Sequence, residues 1–290
     1  MSLHPTTTAA HARLRLLETG GLLLAVLVAI AAAGGIWLPA VYARETVSWA
    51  TQGLGQDWVD LVLVAPVLAI CARLVGRGSH VALLVFGGAL IYTIYSFVLY
   101  AFSVHFNPLF LVYCATLGLA SYTLLAVALH LQRIEAEGWF PPETRVRLAG
   151  WFLIGMAGAF SALWLANVIP ALWRGVDPPG LQETGLVTNP VYVLDLSIVL
   201  PAMVVTGVRL VRRRSAGYVA APILLVFNVL MAAALTGMMV AMYIRGLAPS
   251  LGVSAVMGGV AIASVVLAIA YLRQLRDVHG AARALNRRRP

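Results

Sequence analysis

Two aspartates interrupt long apolar stretches of this chain, Asp60 in Asp-Leu-Val-Leu-Val-Ala-Pro and Asp195 in Asp-Leu-Ser-Ile-Val-Leu-Pro. A carboxylate in such surroundings can take up a proton, meet a cation or act as a general base, and what converges on it decides which. His105 and Asn107, followed by Pro108, occupy a short turn, and Asn167 lies toward the end of a further apolar run. Tyr92, Tyr95 and Ser96 recur at i, i+3 and i+4, so one helix face carries three hydroxyls. Asn228 stands in the corresponding part of a later stretch. Asp60, Asp195, His105, Asn107, Asn167, Tyr92, Tyr95 and Asn228 are therefore the candidate binding residues, expected around an external polar vestibule.

Each has a structural alternative. A carboxylate near a helix N-terminus is favoured by the macrodipole alone. Tyrosine and asparagine serve equally well as interhelical hydrogen bonds. Thr188, Asn189, Pro190 and Tyr192 ahead of Asp195 are what a helix entrance needs.

Other chemistries lack their residues. Every one of the 20 basic residues is Arg, so no lysine can form a Schiff base. His105 is a lone external histidine, whereas metal sites draw on several ligands. His80 and His130 fall at span ends, at the edge of the bilayer and not at the depth a haem prefers. Cys71 and Cys114 sit at different depths, too far apart for a disulfide. No His-Glu-x-x-His, Gly-x-Ser-x-Gly or Walker motif occurs. No catalytic residue, metal or cofactor is assigned.

The elements that must position these residues follow from composition. The chain has 290 residues, 61% hydrophobic and 11% charged, with a mean hydropathy of +0.90. That is a bilayer composition, and it excludes nucleic-acid binding and secreted disulfide scaffolds. Crossing the hydrocarbon takes about 20 apolar residues. Eight windows qualify, over 20–42, 58–75, 81–103, 109–131, 148–171, 193–211, 219–244 and 253–274. The first is too long for a cleaved signal peptide and is kept as a helix.

Arginine placement orients the spans, because positive residues beside span ends stay cytoplasmic. With the N-terminus inside, seventeen of the 20 arginines are cytoplasmic, and only Arg44, Arg174 and Arg245 are external. Both termini are thus expected in the cytoplasm, in a cell membrane that the arginine-only, alanine-rich usage suggests is bacterial.

The pattern Asp-Leu-x4-Pro occurs twice at an offset of 135 residues, and Arg77 and Arg212 share that offset. Leu38-Pro39-Ala40-Val41-Tyr42 and Ile169-Pro170-Ala171-Leu172-Trp173 close the first and fifth spans at an offset of 131. The expectation is an all-α polytopic protein of two tandem four-helix repeats. Each repeat has an even number of spans, so the two are related by a pseudo-two-fold axis along the membrane normal. The expected divisions are a cytoplasmic segment 1–19, a first repeat 20–131, a linker 132–147, a second repeat 148–274 and a basic tail 275–290.

Three functions fit: a transporter or permease for an ion or small molecule; an enzyme acting on a lipid-linked substrate, with an aspartate as base; or a non-catalytic partner or sensor subunit. The partners expected are membrane lipids, an ion or small-molecule ligand, and a second copy or a membrane subunit.

Overall fold

Inside a bilayer every backbone N–H and C=O must be satisfied within the chain, which uninterrupted apolar runs achieve as helices. The computed structural model describes residues 5–134, 139, 140, 144, 146–247 and 251–275, and these are all-helical with no strand. The long helices are α1 (Pro5–Trp37), α2 (Val47–Gly76), α3 (His80–Ser103), α4 (Phe110–Arg133), α5 (Arg147–Arg174), α6 (Pro190–Val211), α7 (Ser215–Ile244) and α8 (Leu251–Leu272). Seven of them, α1 to α7, are long and apolar enough to cross a membrane, and α8 is apolar over Gly258–Leu272. The chain is a multi-pass membrane protein by this measure. The linker residues Glu135, Glu137, Glu143 and Arg145, and the tail from Arg276 onward, lie outside the described residues.

Most helix ends fall within a few residues of the hydropathy windows. The exceptions are α1, which begins at Pro5, well before 20, and ends at Trp37, and α2, which begins at Val47 and not near 58. Gln52, Gln56, Asp57 and two glycines dilute the hydropathy of its first three turns. Thr46 nevertheless starts the helix, its side chain accepting a hydrogen bond from the Trp49 amide at 3.2 Å. The expected loop of about 15 residues is thus mostly helix.

Two proline-associated turns shape the bundle. Asp60–Val64 and Asp195–Val199 are both π-helical, with the Ala65 amide bonded to the Asp60 carbonyl and the Leu200 amide to the Asp195 carbonyl. Pro66 and Pro201 follow directly. Proline has no N–H and its ring crowds the carbonyl four residues back, and a widened turn relieves both problems without breaking the helix.

The first four helices close on themselves: α1 packs on α2 and α4, and α3 packs on α2 and α4. In the second half α5 packs chiefly on α6, α6 on α7, and α7 on α8. The halves meet where α7 lies against α2 and α3. Close approach there requires glycine. A Cβ on Gly55 would stand 2.5 Å from the Gly237 carbonyl oxygen, and one on Gly237 would stand 2.6 Å from that of Gly55. Such backbone-to-backbone crossings are how membrane helices gain packing where no hydrophobic drive exists between them.

Helix α3 is the most enclosed, with 72% of its apolar window buried, whereas α5 has only 11%. Side chains such as Leu111, Tyr122, Leu148, Leu172 and Ile262 project outward from the bundle. A surface this apolar suits lipid and not water.

Candidate functional site

The buried polar groups collect around α3, whose register presents tyrosines to carboxylates on both sides. Tyr92 Oη donates to Asp60 Oδ1 at 2.7 Å. Tyr95 Oη, one turn on, donates to Asp195 Oδ1 at 3.1 Å. Tyr100 Oη donates to a third carboxylate, Asp57 Oδ1, at 2.7 Å. The second oxygens are also taken: Tyr42 Oη donates to Asp57 Oδ2 at 2.6 Å, and Trp164 Nε1 on α5 donates to Asp195 Oδ2 at 2.8 Å. Gln56 is a further hydrogen-bonding neighbour of Asp60.

All three carboxylates are buried, with Asp57 2%, Asp60 1% and Asp195 9% exposed. Arg73 pairs with Glu18 and His105 with Glu45, and no cation among the described residues acts on any of the three aspartates. Their partners are neutral O–H and N–H donors. Tyr42 lies between α1 and α2, and its phenol is held well above the usual tyrosine range, by burial first and by the Asp57 charge second.

Local structure explains the placement. Asp57 and Asp60 are i, i+3 on α2 and so share a face. Thirteen helical residues precede Asp60, about 20 Å of rise, which puts it deep in the helix and away from the N-terminal end where the macrodipole would favour it. Five precede Asp195, about 8 Å. Neither aspartate caps a helix: Thr46 and Asn189 do, the latter accepting from the amides of Val191 at 3.0 Å and Tyr192 at 3.4 Å. Room for Asp57 is made by Gly35 on α1, where any Cβ would overlap the carboxylate.

A cavity of about 20 Å³ opens beside the Asp57 cluster, lined by Tyr42, Gln52, Gln56, Tyr100 and Met238 among others. That is room for about one water molecule. A larger cavity, about 500 Å³, lies between α5 and α6 and is lined by Leu172, Asn189, Tyr192 and Ser197. Tyr192 packs on Trp164 with ring centroids 4.9 Å apart, so this cavity touches the group that holds Asp195.

The other expected residues are dispersed. His105 is in the loop after α3, its Nδ1 3.0 Å from Glu45 Oε1 and its amide donating to the same oxygen at 2.7 Å. Asn107 is a turn residue: its Oδ1 accepts from the Leu109 amide at 2.8 Å and its Nδ2 donates to the His105 carbonyl at 3.0 Å. Asn167 is half-buried and donates to the Leu163 carbonyl of its own helix at 3.1 Å. Asn228 is buried on α7, and its Nδ2 finds no partner among the described residues. His80 stacks on Trp139 with centroids 3.9 Å apart. No group of three or more His, Cys, Asp or Glu side chains is arranged to hold a metal among the described residues.

Sequence reasoning missed Asp57, Tyr100 and Trp164, and read Tyr42 as the end of the first span. The signal for Asp57 was its i, i+3 relation to Asp60, which counts only once the helix is known to start at Thr46. Nothing in the local sequence marks Trp164 as the partner of Asp195.

No family model matches the chain, and neither a curated protein nor a solved structure matches it.

Proposed function

We propose that the chain is a membrane transporter that carries protons along its buried carboxylates, alone or coupled to a small cargo. One observation carries this reading: three aspartates inside the bundle, each bonded by Tyr or Trp donors and none facing a cation among the described residues. A lone carboxylate charge buried at membrane depth is costly, so such a group is stable when it holds a proton or when a cation stands beside it. Carboxylates spaced by hydroxyls are the parts of a proton relay, and a one-water cavity at Tyr42 and Tyr100 is the matching entrance. A metal cargo is less well served, because the three aspartates are separately partnered.

The architecture we propose is eight spans in two four-helix repeats, with both termini cytoplasmic and the protein in a cell membrane. The recurrence of a π turn at Asp60 and at Asp195, each just ahead of a proline, supports the duplication. So does the placement of α3 and α7, the third span of each repeat, against each other at the centre. In this orientation Tyr42 and the one-water cavity face outward. His105, Asn107 and Asn167 belong to the mouth, while Asp57, Asp60, Asp195, Tyr92 and Tyr95 form the path and Asn228 offers it a free amide.

The test is proton flux into proteoliposomes under an imposed voltage, read by an internal pH dye. Wild-type protein is expected to exceed empty liposomes, and Asp57→Asn, Asp60→Asn and Asp195→Asn each to lower the rate at least about tenfold, the scale of losing a positioned proton-transfer group, while remaining monodisperse. Wild-type flux equal to empty liposomes, or variants that conduct like wild type, would overturn it.

A further inference from the structure

At the opposite end of the bundle from Tyr42, the turn joining α6 to α7 holds Arg212, Arg213 and Arg214. Arg209, Arg212 and Arg214 line a cavity of about 590 Å³ together with Val204, Val205, Val208, Ser215 and Ala216. The three arginines are exposed, and no carboxylate pairs with them among the described residues. The valines form the other wall, on a face of α6 that turns outward: Val204 is 39% and Val205 52% exposed. One side of the cavity is cationic and the other is apolar and open to the lipid.

Comparison with the turn between α2 and α3 sharpens the point. There Arg77, Gly78 and Ser79 stand at an offset of 135 residues from Arg212, Arg213 and Arg214. Both turns use a left-handed residue, Gly78 at φ +83° and Arg213 at φ +54°. In the first turn Ser79 Oγ caps α3 by accepting from the Ala82 amide at 3.2 Å. In the second, Arg214 makes no such side-chain bond, and the Gly217 amide instead bonds to the Arg214 carbonyl at 2.9 Å. Arg213 is the only non-glycine residue with positive φ among the described residues. The second turn thus exchanges a relaxed, side-chain-capped geometry for three adjacent arginines and no side-chain cap.

We propose that this cavity binds the phosphodiester headgroup of an anionic phospholipid, with Arg209, Arg212 and Arg214 on the phosphate and the acyl chains along Val204, Val205 and Val208. Guanidinium groups suit phosphate through paired donors, and basic pockets at the membrane surface take anionic lipid in this way. The apolar wall selects a lipid over a free anion. The proposal is independent of the aspartate path at the other end of the bundle.

The test is native mass spectrometry of the full chain released from nanodiscs containing phosphatidylglycerol and phosphatidylcholine. Retention of one phosphatidylglycerol by wild type is expected, falling at least about tenfold in R209Q/R212Q/R214Q, the scale of lost charge-assisted contacts. R77Q/R133Q/R147Q removes equal charge from the same end of the bundle and should retain it. V205W blocks the acyl wall without touching charge and should also lose it, which keeps the question answerable if the triple variant fails to fold. Equal loss in the R77Q control, retention in V205W, equal retention of phosphatidylcholine, or saturation by inorganic phosphate alone would each overturn the proposal.

Discussion

Asp195 is held by Tyr95, a residue one hundred positions earlier in the chain, at 3.1 Å. Asp60 finds its tyrosine, Tyr92, on the same helix α3, at 2.7 Å. One helix therefore contacts the carboxylates of both halves. The corresponding place on α7, at an offset of 135 from Tyr92, is occupied by Phe227. Phe227 packs edge-on against Tyr95 with centroids 5.8 Å apart, so the second half supplies packing to a hydroxyl it does not itself provide.

Because Asp195 has two donors, removing one leaves the other. Tyr95→Phe and Trp164→Phe are each expected to cost about 1 kcal/mol and the double variant more than their sum, as for groups sharing one acceptor. Unfolding in mild detergent measures the cycle, and strict additivity would mean that the two bonds act independently. Tyr92→Phe, which removes the hydroxyl donor from Asp60, should cost at least as much as either single change.

Gly35→Ala should displace Asp57 from Tyr42 and Tyr100, because the new methyl would overlap the carboxylate. The expected loss is about 1–3 kcal/mol, typical of overpacking, together with proton flux as low as in Asp57→Asn. At neighbouring Gly34 a methyl meets only the end of Leu109, and a smaller effect is expected. Equal effects at the two positions would detach the loss from Asp57.

The crossing of α2 and α7 gives a stability test separate from the carboxylates. Gly237→Ala places a methyl 2.6 Å from the Gly55 carbonyl oxygen, and backbone cannot swing aside as a side chain does. A loss of about 1–3 kcal/mol is expected. Gly118→Ala on α4 faces open space and should be neutral or stabilising by up to about 1 kcal/mol through helix propensity. Chemical denaturation in detergent distinguishes the two.

Tyr42 carries a pH dependence with a definite sign. Its folded phenol is held above the ordinary value of 10.0, by burial and then by Asp57. The neutral form is thus favoured in the folded state, and the stability it contributes is complete below the unfolded value and is lost as pH rises through the folded one. Wild type should outlast Tyr42→Phe by the largest margin below about pH 10, and the margin should shrink above it. A margin that grows with alkaline pH would show that the phenol is not the donor to Asp57.

The sequence by itself determined the membrane class, eight apolar windows of which seven are membrane-length apolar helices in the structure, and most of the helix ends, because hydrocarbon demands about 20 apolar residues per crossing whatever the neighbours are. The two widened turns fall just ahead of Pro66 and Pro201, whereas Pro170 and Pro222 lie inside α5 and α7 without one, so proline alone does not place them. The start of α2 was hidden, since Gln52, Gln56 and Asp57 read as loop until packing against α1, α3 and α7 gives them partners. Only the tertiary structure decided which polar groups meet. Asp60 with Tyr92, Asp57 with Tyr42 and Tyr100, and Asp195 with Tyr95 and Trp164 are all contacts between different helices or between a helix and a loop. Helical periodicity orders residues around one axis, but how one axis is turned toward another depends on backbone approaches such as Gly55 against Gly237, which become visible only when both helices are in place.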